Sequence, residues 1–338
     1  MTIRHLQKIT NFAILLSLLV VMLGAYTRLT DAGLGCPDWP GCYGHLVVQS
    51  TAHPNQLMSA TLQHYNVVTV ESRKAWTEMI HRYAAGTLAL LIFFIGYHSI
   101  RLRPSLTKAV LPMALCCLVI FQALLGMWTV TLKLLPIVVM GHLLGGILIF
   151  STLLCLRVQS TEAYATERYV SRRGVLYAVI AAWLIVFIQI ALGGWVSANY
   201  AGLACIGFPQ CNGQWLPAWH LSQGFSLFSP VGNNYQGGLL DSATRVTIQY
   251  VHRLGAIVTF LYLVSLMGYL YQQVASRYVH KISFLVLILV SLQFFLGIGN
   301  VIWRLPLANA VLHNGVAALL MASLSVLLCW FRREKKHA

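Results

Sequence analysis

Eight stretches of the chain carry no charged residue and are about the length that crosses a bilayer: residues 9–27, 83–100, 109–132, 134–156, the first part of 174–240, 254–276, 282–303 and 305–331. Lipid offers a backbone no hydrogen-bond partner, so a spanning segment must be a helix or a strand of a closed barrel. These runs are too long and unbroken for barrel strands. With 58% hydrophobic and 9% charged residues, the chain also lacks the polar surface of a soluble globule. The expected fold is an all-α membrane protein of eight transmembrane helices surrounded by lipid.

A formal net charge of +15 invites a nucleic-acid reading, but the placement of the bases argues for topology instead. With the N-terminus inside, 15 of the 23 Lys and Arg residues fall on the cytoplasmic side, from Arg4 and Lys8 to Lys335 and Lys336. The opposite side holds 8 bases and 5 of the 8 acids. Both termini are therefore expected in the cytoplasm, and no nucleic-acid partner is expected. Arg4 and Lys8 before a short apolar core also resemble a signal peptide. That reading is rejected because the end of the first span, Leu23-Gly24-Ala25-Tyr26-Thr27, recurs deep in the chain.

An internal repeat organises the sequence. Residues 33–44 are matched 169 positions later by 202–213, with six identities: Gly33/Gly202, Leu34/Leu203, Cys36/Cys205, Pro40/Pro209, Cys42/Cys211 and Gly44/Gly213. Further on the offset is 171, placing His81-Arg82 on His252-Arg253, Gln122 on Gln293, and His142 on His313. Four spans match four spans, so the halves, residues 1–160 and 161–338, are expected as two parallel, pseudo-symmetric four-helix bundles. A Leu-Gly pair ends every odd-numbered span, at Leu23-Gly24, Leu125-Gly126, Leu192-Gly193 and Leu296-Gly297, and reads as close helix packing. About 45 residues follow the first span and about 45 the fifth; these outer segments are expected to cap their own halves.

His81, His142, His252 and His313 lie one on each even-numbered span, while the apolar stretches of the odd spans hold none. Within each half the separation is 61 residues (142 minus 81, 313 minus 252), so each half offers two imidazoles from helices entering the membrane the same way. All four are expected within the first two turns or so of their helices, toward the outer side. An ionisable side chain among membrane helices is costly and is a functional candidate by default. A single one is as readily a hydrogen-bonding core residue; four at matched positions are not. Paired imidazoles in an apolar bundle suit a flat macrocycle with iron at its centre. Zinc would call for further Cys, Asp or Glu ligands at that depth, and each half has too few.

Arg82 and Arg253 each follow a ligand candidate where a haem's propionates would emerge, and a guanidinium fork suits a carboxylate. The alternative is an interfacial arginine whose stem snorkels. Glu78 precedes His81 by three residues, on one helix face, whereas the matching position is Gln249. Only the first half can thus use a carboxylate for proton transfer or charge stabilisation beside its macrocycle. The alternative is a plain ion pair with Arg82 or Lys74. Cys36 with Cys42, and Cys205 with Cys211, have five residues between them and are expected as disulfides on the oxidising side, as staples or as redox groups. Cys116, Cys117, Cys155 and Cys329 read as small apolar residues, and His45, His53, His64 and His220 are assigned no role.

Residues 24–30 (GAYTRLT) running into Cys36-Pro37-Asp38-Trp39-Pro40, with Glu78-Met79-Ile80-His81-Arg82, Tyr250-Val251-His252-Arg253-Leu254-Gly255 and Leu312-His313-Asn314, resemble the haem A synthases over essentially the whole chain. The resemblance implies an inner-membrane enzyme that oxidises a methyl group of haem O to the formyl group of haem A, with water supplying the oxygen, in support of haem-copper oxidases. It implies that His81 and His142 hold the substrate haem, that Glu78 acts beside the methyl group, and that His252 and His313 ligate a resident haem b. Haem O synthase is implied as the partner that hands over substrate. No Gly-rich dinucleotide loop is present, so the electron acceptor lies outside the chain. The oligomeric state stays open, a homo-oligomer included. Two other classes remain: a di-haem b-type electron-transfer cytochrome, and a haem carrier or chaperone.

Overall fold

The computed structural model describes residues 2–48, 71–102, 106–161 and 173–332. Several cytoplasmic bases used for the topology argument (Arg103, Arg168, Arg172, Arg333, Lys335, Lys336) lie outside these, as do His53 and His64. Eight helices among the described residues are long and apolar enough to cross a membrane. They are α1 (Ile3–Leu29), α2 (Ser72–Leu102), α3 (Leu106–Thr131), α4 (Pro136–Gln159), α5 (Arg173–Ala198), α6 (Ser242–Gln273), α7 (Arg277–Ile302) and α8 (Leu307–Phe331). A further single helical turn spans Leu221–Gly224. Large apolar side chains such as Leu15, Leu90, Phe121 and Phe295 point outward. That exposure suits lipid and would be a liability in water.

α2 and α6 begin well before the apolar stretches they contain, 11 and 12 residues earlier (83 minus 72, 254 minus 242). Asp241 caps α6 by accepting from the Thr244 N–H at 2.9 Å. Those backbone and hydroxyl bonds from Thr244 hold its carboxyl below the ordinary carboxylate range. The polar first turns carry Glu78, Arg82, Gln249 and Arg253, so these lie on helix rather than on loop. His81 and His252 consequently fall in the third turn of their helices, farther from the helix start than expected because the helices begin earlier, whereas His142 and His313 fall in the second. α1 and α7 likewise start earlier and take in His5 and His280.

Within the first half α1 packs on α2, α2 on α3, α3 on α4 and α4 on α1; within the second, α5 on α6, α6 on α7, α7 on α8 and α8 on α5. The halves meet through α4 with α8, α1 with α8, and α4 with α5. This is compatible with two pseudo-symmetric four-helix bundles. Backbone conformations repeat too. The α3–α4 corner has left-handed Lys133 and Leu134, matched by Arg304 and Leu305 in the α7–α8 corner; Asp31 and Tyr43 are matched by Tyr200 and Asn212. α8 lies centrally, with 67% of its apolar window buried against 22% for α1. Its run of small residues, Gly315 to Ser325, lets neighbours approach closely; a Cβ on Gly315 would stand 3.3 Å from the Met22 sulfur of α1.

All the repeat-related loops share one end of the bundle. There the Arg28 guanidinium stacks 3.9 Å over the Tyr200 ring and donates to the Ser197 carbonyl, while the Tyr200 hydroxyl donates to Asp31 at 3.0 Å. This joins the ends of α1 and α5. Residues 199–241 do more than cap their own half: Tyr235 is buried against Leu134, Leu135 and Val138 of the first, and its N–H donates to the Lys133 carbonyl at 3.0 Å.

Candidate functional site

A single cavity of about 1300 Å³ opens from the loop end into both bundles, and His81, His142, His252 and His313 all line it. A site for one small ligand holds about 300–1,000 Å³, so the space suits more than one such group. The rings reach the cavity because of the glycines that end the odd spans. A Cβ on Gly24 would stand 3.0 Å from His81 Cε1, on Gly126 3.2 Å from His142, on Gly193 3.1 Å from His252 and on Gly297 3.3 Å from His313. Each Leu-Gly pair is therefore a seat for the imidazole of the next helix. The sequence reading took these glycines for close packing alone; their position one helix before each histidine was the signal it missed.

The His81 and His142 rings stand nearly perpendicular, at 83°, with centroids 6.4 Å apart. With metal–nitrogen bonds of about 2.0–2.1 Å on both sides and each nitrogen about 1 Å outside its centroid, two rings sharing one ion have centroids about 6 Å apart. The pair thus fits a six-coordinate iron in a macrocycle lying between the rings. The Nδ1 atoms of His81, His142 and His313 are buried and have no hydrogen-bond partner, while His313 Nε2 stands 3.1 Å from the Gln293 amide nitrogen. Among the described residues no group of three or more His, Cys, Asp and Glu could hold a bare metal ion. Iron carried in a porphyrin needs only the two axial nitrogens.

Glu78 is 4% exposed and lines the same cavity. One carboxylate oxygen accepts from the Cys36 N–H at 2.9 Å, and the other takes a charge-assisted bond from Arg82. The ion pair with Arg82 is the one the sequence reading weighed; Lys74 pairs instead with Glu71, at 2.8 Å. The Cys36 N–H reaches Glu78 because Gly35 lies against the α2 backbone, where a Cβ would come within 2.6 Å of the Lys74 carbonyl carbon. The matching residue, Ala204, has a side chain, and the matching polar group, Gln249, donates only to the Gly202 carbonyl at 3.3 Å. The Gln249 Oε1 is buried and unpartnered.

Both arginines are spent largely on main-chain carbonyls. Arg82 Nη1 donates to Asp38 (2.9 Å) and Gly41 (2.6 Å), and Arg253 Nη1 donates to the matching Gly207 (2.9 Å) and Gln210 (3.2 Å). Arg253 Nη2 donates to the Cys205 carbonyl, where Arg82 Nη2 reaches Glu78. Both guanidiniums line the cavity and fold the cysteine loops over its mouth. Within those loops Cys36–Cys42 and Cys205–Cys211 are disulfides. Asp38 accepts from the Tyr43 and Gly44 N–H groups at 2.6 and 2.8 Å, and burial together with the Asp38 charge raises the Tyr43 phenol. Trp39 and Pro40 of the first loop and Phe208 and Pro209 of the second line the cavity.

Residues 7–325 match the family of cytochrome oxidase assembly proteins known as COX15-CtaA. The chain belongs to this family. The heme A synthase of Shewanella oneidensis is 42% identical over 320 residues, 95% of this chain and 94% of that protein. Those of Neorickettsia sennetsu and Shouchella clausii are 26% and 27% identical, covering 91% and 97% of this chain and 93% and 95% of the respective proteins. Family membership agrees with the resemblance carried by the histidine, glutamate and cysteine-loop segments, and it extends over both halves.

Proposed function

We propose that this multi-pass membrane protein is a haem A synthase that converts haem O to haem A. The methyl group and one water become a formyl group, with release of four electrons and four protons. The observation that carries this reading is the His81–His142 pair, with ring centroids 6.4 Å apart, and Glu78 three residues before His81 lining the same cavity. The relatives' names and the whole-chain family match support it.

In this reading residues 1–160 form the substrate half and residues 161–338 the resident half. His81 and His142 would hold the haem O iron, and the shape of the surrounding cavity wall would set which edge of the ring meets Glu78. Glu78 stands at that wall as the chain's proton acceptor and as a negative charge beside the carbon losing electrons. Arg82 and the Cys36 N–H keep the carboxylate in place. A haem b ligated by His252 and His313 supplies one-electron transfer when bound. The aromatic loop residues at the mouth limit water to what the reaction consumes. The electron acceptor is a separate molecule, the haem donor is haem O synthase, and both termini lie in the cytoplasm of a cell with this protein in its inner membrane.

Pigment analysis of the purified protein, made with and without a haem O synthase, tests this reading. Haem B alone is expected without the synthase, and haem O or haem A in addition with it. Haem B alone in both cases would make the chain a di-haem cytochrome; reversible loss of unaltered haem O would make it a carrier.

A further inference from the structure

Each ring seat has a second element. Four residues before the glycine, on the same face of the odd helix, stand Val20, Gln122, Gln189 and Gln293, and all four line the cavity. Three of the four positions are glutamine. Gln122 Nε2 donates to the His142 carbonyl at 2.7 Å. Gln189 Nε2 donates to the His252 carbonyl at 3.0 Å and stands 3.1 Å from His252 Nδ1, whereas Gln293 Nε2 stands 3.1 Å from His313 Nε2. The amide oxygens of all three are buried and unpartnered, as are the Nδ1 atoms of His142 and His313. Among the described residues, only the Gln189 amide thus stands against an Nδ1 atom.

A histidine that gives Nε2 to a metal carries its proton on Nδ1, and the group that accepts this proton fixes the tautomer and the ring's orientation and raises its basicity. A glutamine amide can turn about its last torsion to offer oxygen where nitrogen stood. His81 Nδ1 is equally buried and unpartnered, and the side chain of Val20 has no acceptor to offer.

We propose that Gln189 is a positioning residue that anchors His252 as an iron ligand, and that Val20, its match in the first half, leaves His81 as the releasable ligand through which one macrocycle is exchanged for the next. This rests on the haem A synthase reading and deepens it: the resident site anchors His252 and keeps its haem, while the substrate site leaves the matching His81 without a side-chain anchor and turns its haem over.

The test uses the full-length protein loaded with haem O, with transfer of haem to excess apomyoglobin followed by absorbance and each haem's midpoint potential measured by redox titration. Val20→Gln is expected to slow transfer from the first half by roughly 10–100-fold and to lower that haem's potential. Val20→Met, of similar bulk and without an acceptor, is expected to transfer as the wild type does. Gln189→Met is expected to speed loss of the resident haem by a similar factor and to raise its potential. An intact low-spin spectrum from the other half reports that each variant is folded. Unchanged transfer and potential in folded Val20→Gln, equal slowing by Val20→Met, or an unmoved potential in Gln189→Met overturns the proposal. If the wild type takes up no haem between His81 and His142, the functional reading itself falls, which is a different result from a wild type that binds haem and variants that do not differ.

Discussion

The two halves share a backbone plan, down to paired left-handed corners at Lys133-Leu134 and Arg304-Leu305, yet they differ at three neighbouring places. Where the first half has Glu78, Gly35 and Val20, the second has Gln249, Ala204 and Gln189. These differences act together. Gly35 brings the cysteine loop onto α2, the loop brings the Cys36 N–H to Glu78, and Arg82 completes the carboxylate's shell. In the second half the same arginine position spends all its paired donors on carbonyls, and Gln249 leaves an oxygen unpartnered. On the proposed reading, three of the differences between the halves divide a duplicated bundle between holding a group and altering one: a carboxylate, the glycine that lets a loop reach it, and one ligand support.

The sharpest division should appear in the ligands. Replacing His252 or His313 with Ala is expected to abolish the low-spin haem b spectrum of the purified protein, while His81→Ala leaves that spectrum in place and abolishes turnover. A resident spectrum that survives His252→Ala, or one lost with His81→Ala, would mean that the halves do not divide the work as argued.

Next in size is Glu78→Gln, which gives the first half the residue type of the second. The amide keeps one oxygen for Arg82 but turns its NH2 toward the Cys36 N–H, so a stability loss of about 1–3 kcal/mol is expected alongside and activity is compared on the folded protein. Haem A formation should fall by roughly 10²–10⁴-fold, the range lost with a general base, with haem O still bound. Undiminished haem A output by pigment extraction would remove Glu78 from the chemistry and leave it as a buried ion pair. A smaller effect is expected at the seats. Gly24→Ala puts a Cβ 3.0 Å from the His81 ring and Gly193→Ala one 3.1 Å from His252, an overpacking of about 1–3 kcal/mol if nothing yields. Each should perturb the spectrum of its own half only, and a change in both spectra would show that the halves are coupled more closely than their contacts suggest.

The parts of this arrangement that were legible in the sequence are those where one residue type has few physical alternatives. Uncharged runs of spanning length had to be helices, and matched histidines in apolar surroundings had to be paid attention as a set. The outward extension of α2 and α6 was not legible, because Ser72-Arg73-Lys74 and Ser242-Ala243-Thr244 read as polar loop until a cap such as Asp241 and the packing of the loops hold them helical. The loop-folding contacts of Arg82 and Arg253 were not legible because their acceptors are main-chain carbonyls, which any sequence supplies. The glycine seats stayed hidden because they depend on how two helices are rotated against each other. Val20 was hidden for a further reason: it stands out only once all four odd helices are aligned on those glycines.

The smallest effect separates stapling from redox in the cysteine loops. Closing a loop of this length constrains the unfolded chain by about 2 kcal/mol on the chain-entropy account, and both loops have the same sequence separation of 6. Cys36→Ser with Cys42→Ser should therefore cost about as much thermal stability as Cys205→Ser with Cys211→Ser, measured by unfolding in detergent. Activity should not fall equally. Only the first loop carries the N–H that holds Glu78, so only the first pair is expected to lose turnover beyond what its stability loss explains. Lengthening contact between Gly35 and α2 by Gly35→Ala, with both disulfides intact, should reproduce part of that loss. If Gly35→Ala leaves turnover untouched while the first cysteine pair is essential, the sulfurs act as electron carriers, and the loop's hold on Glu78 is incidental.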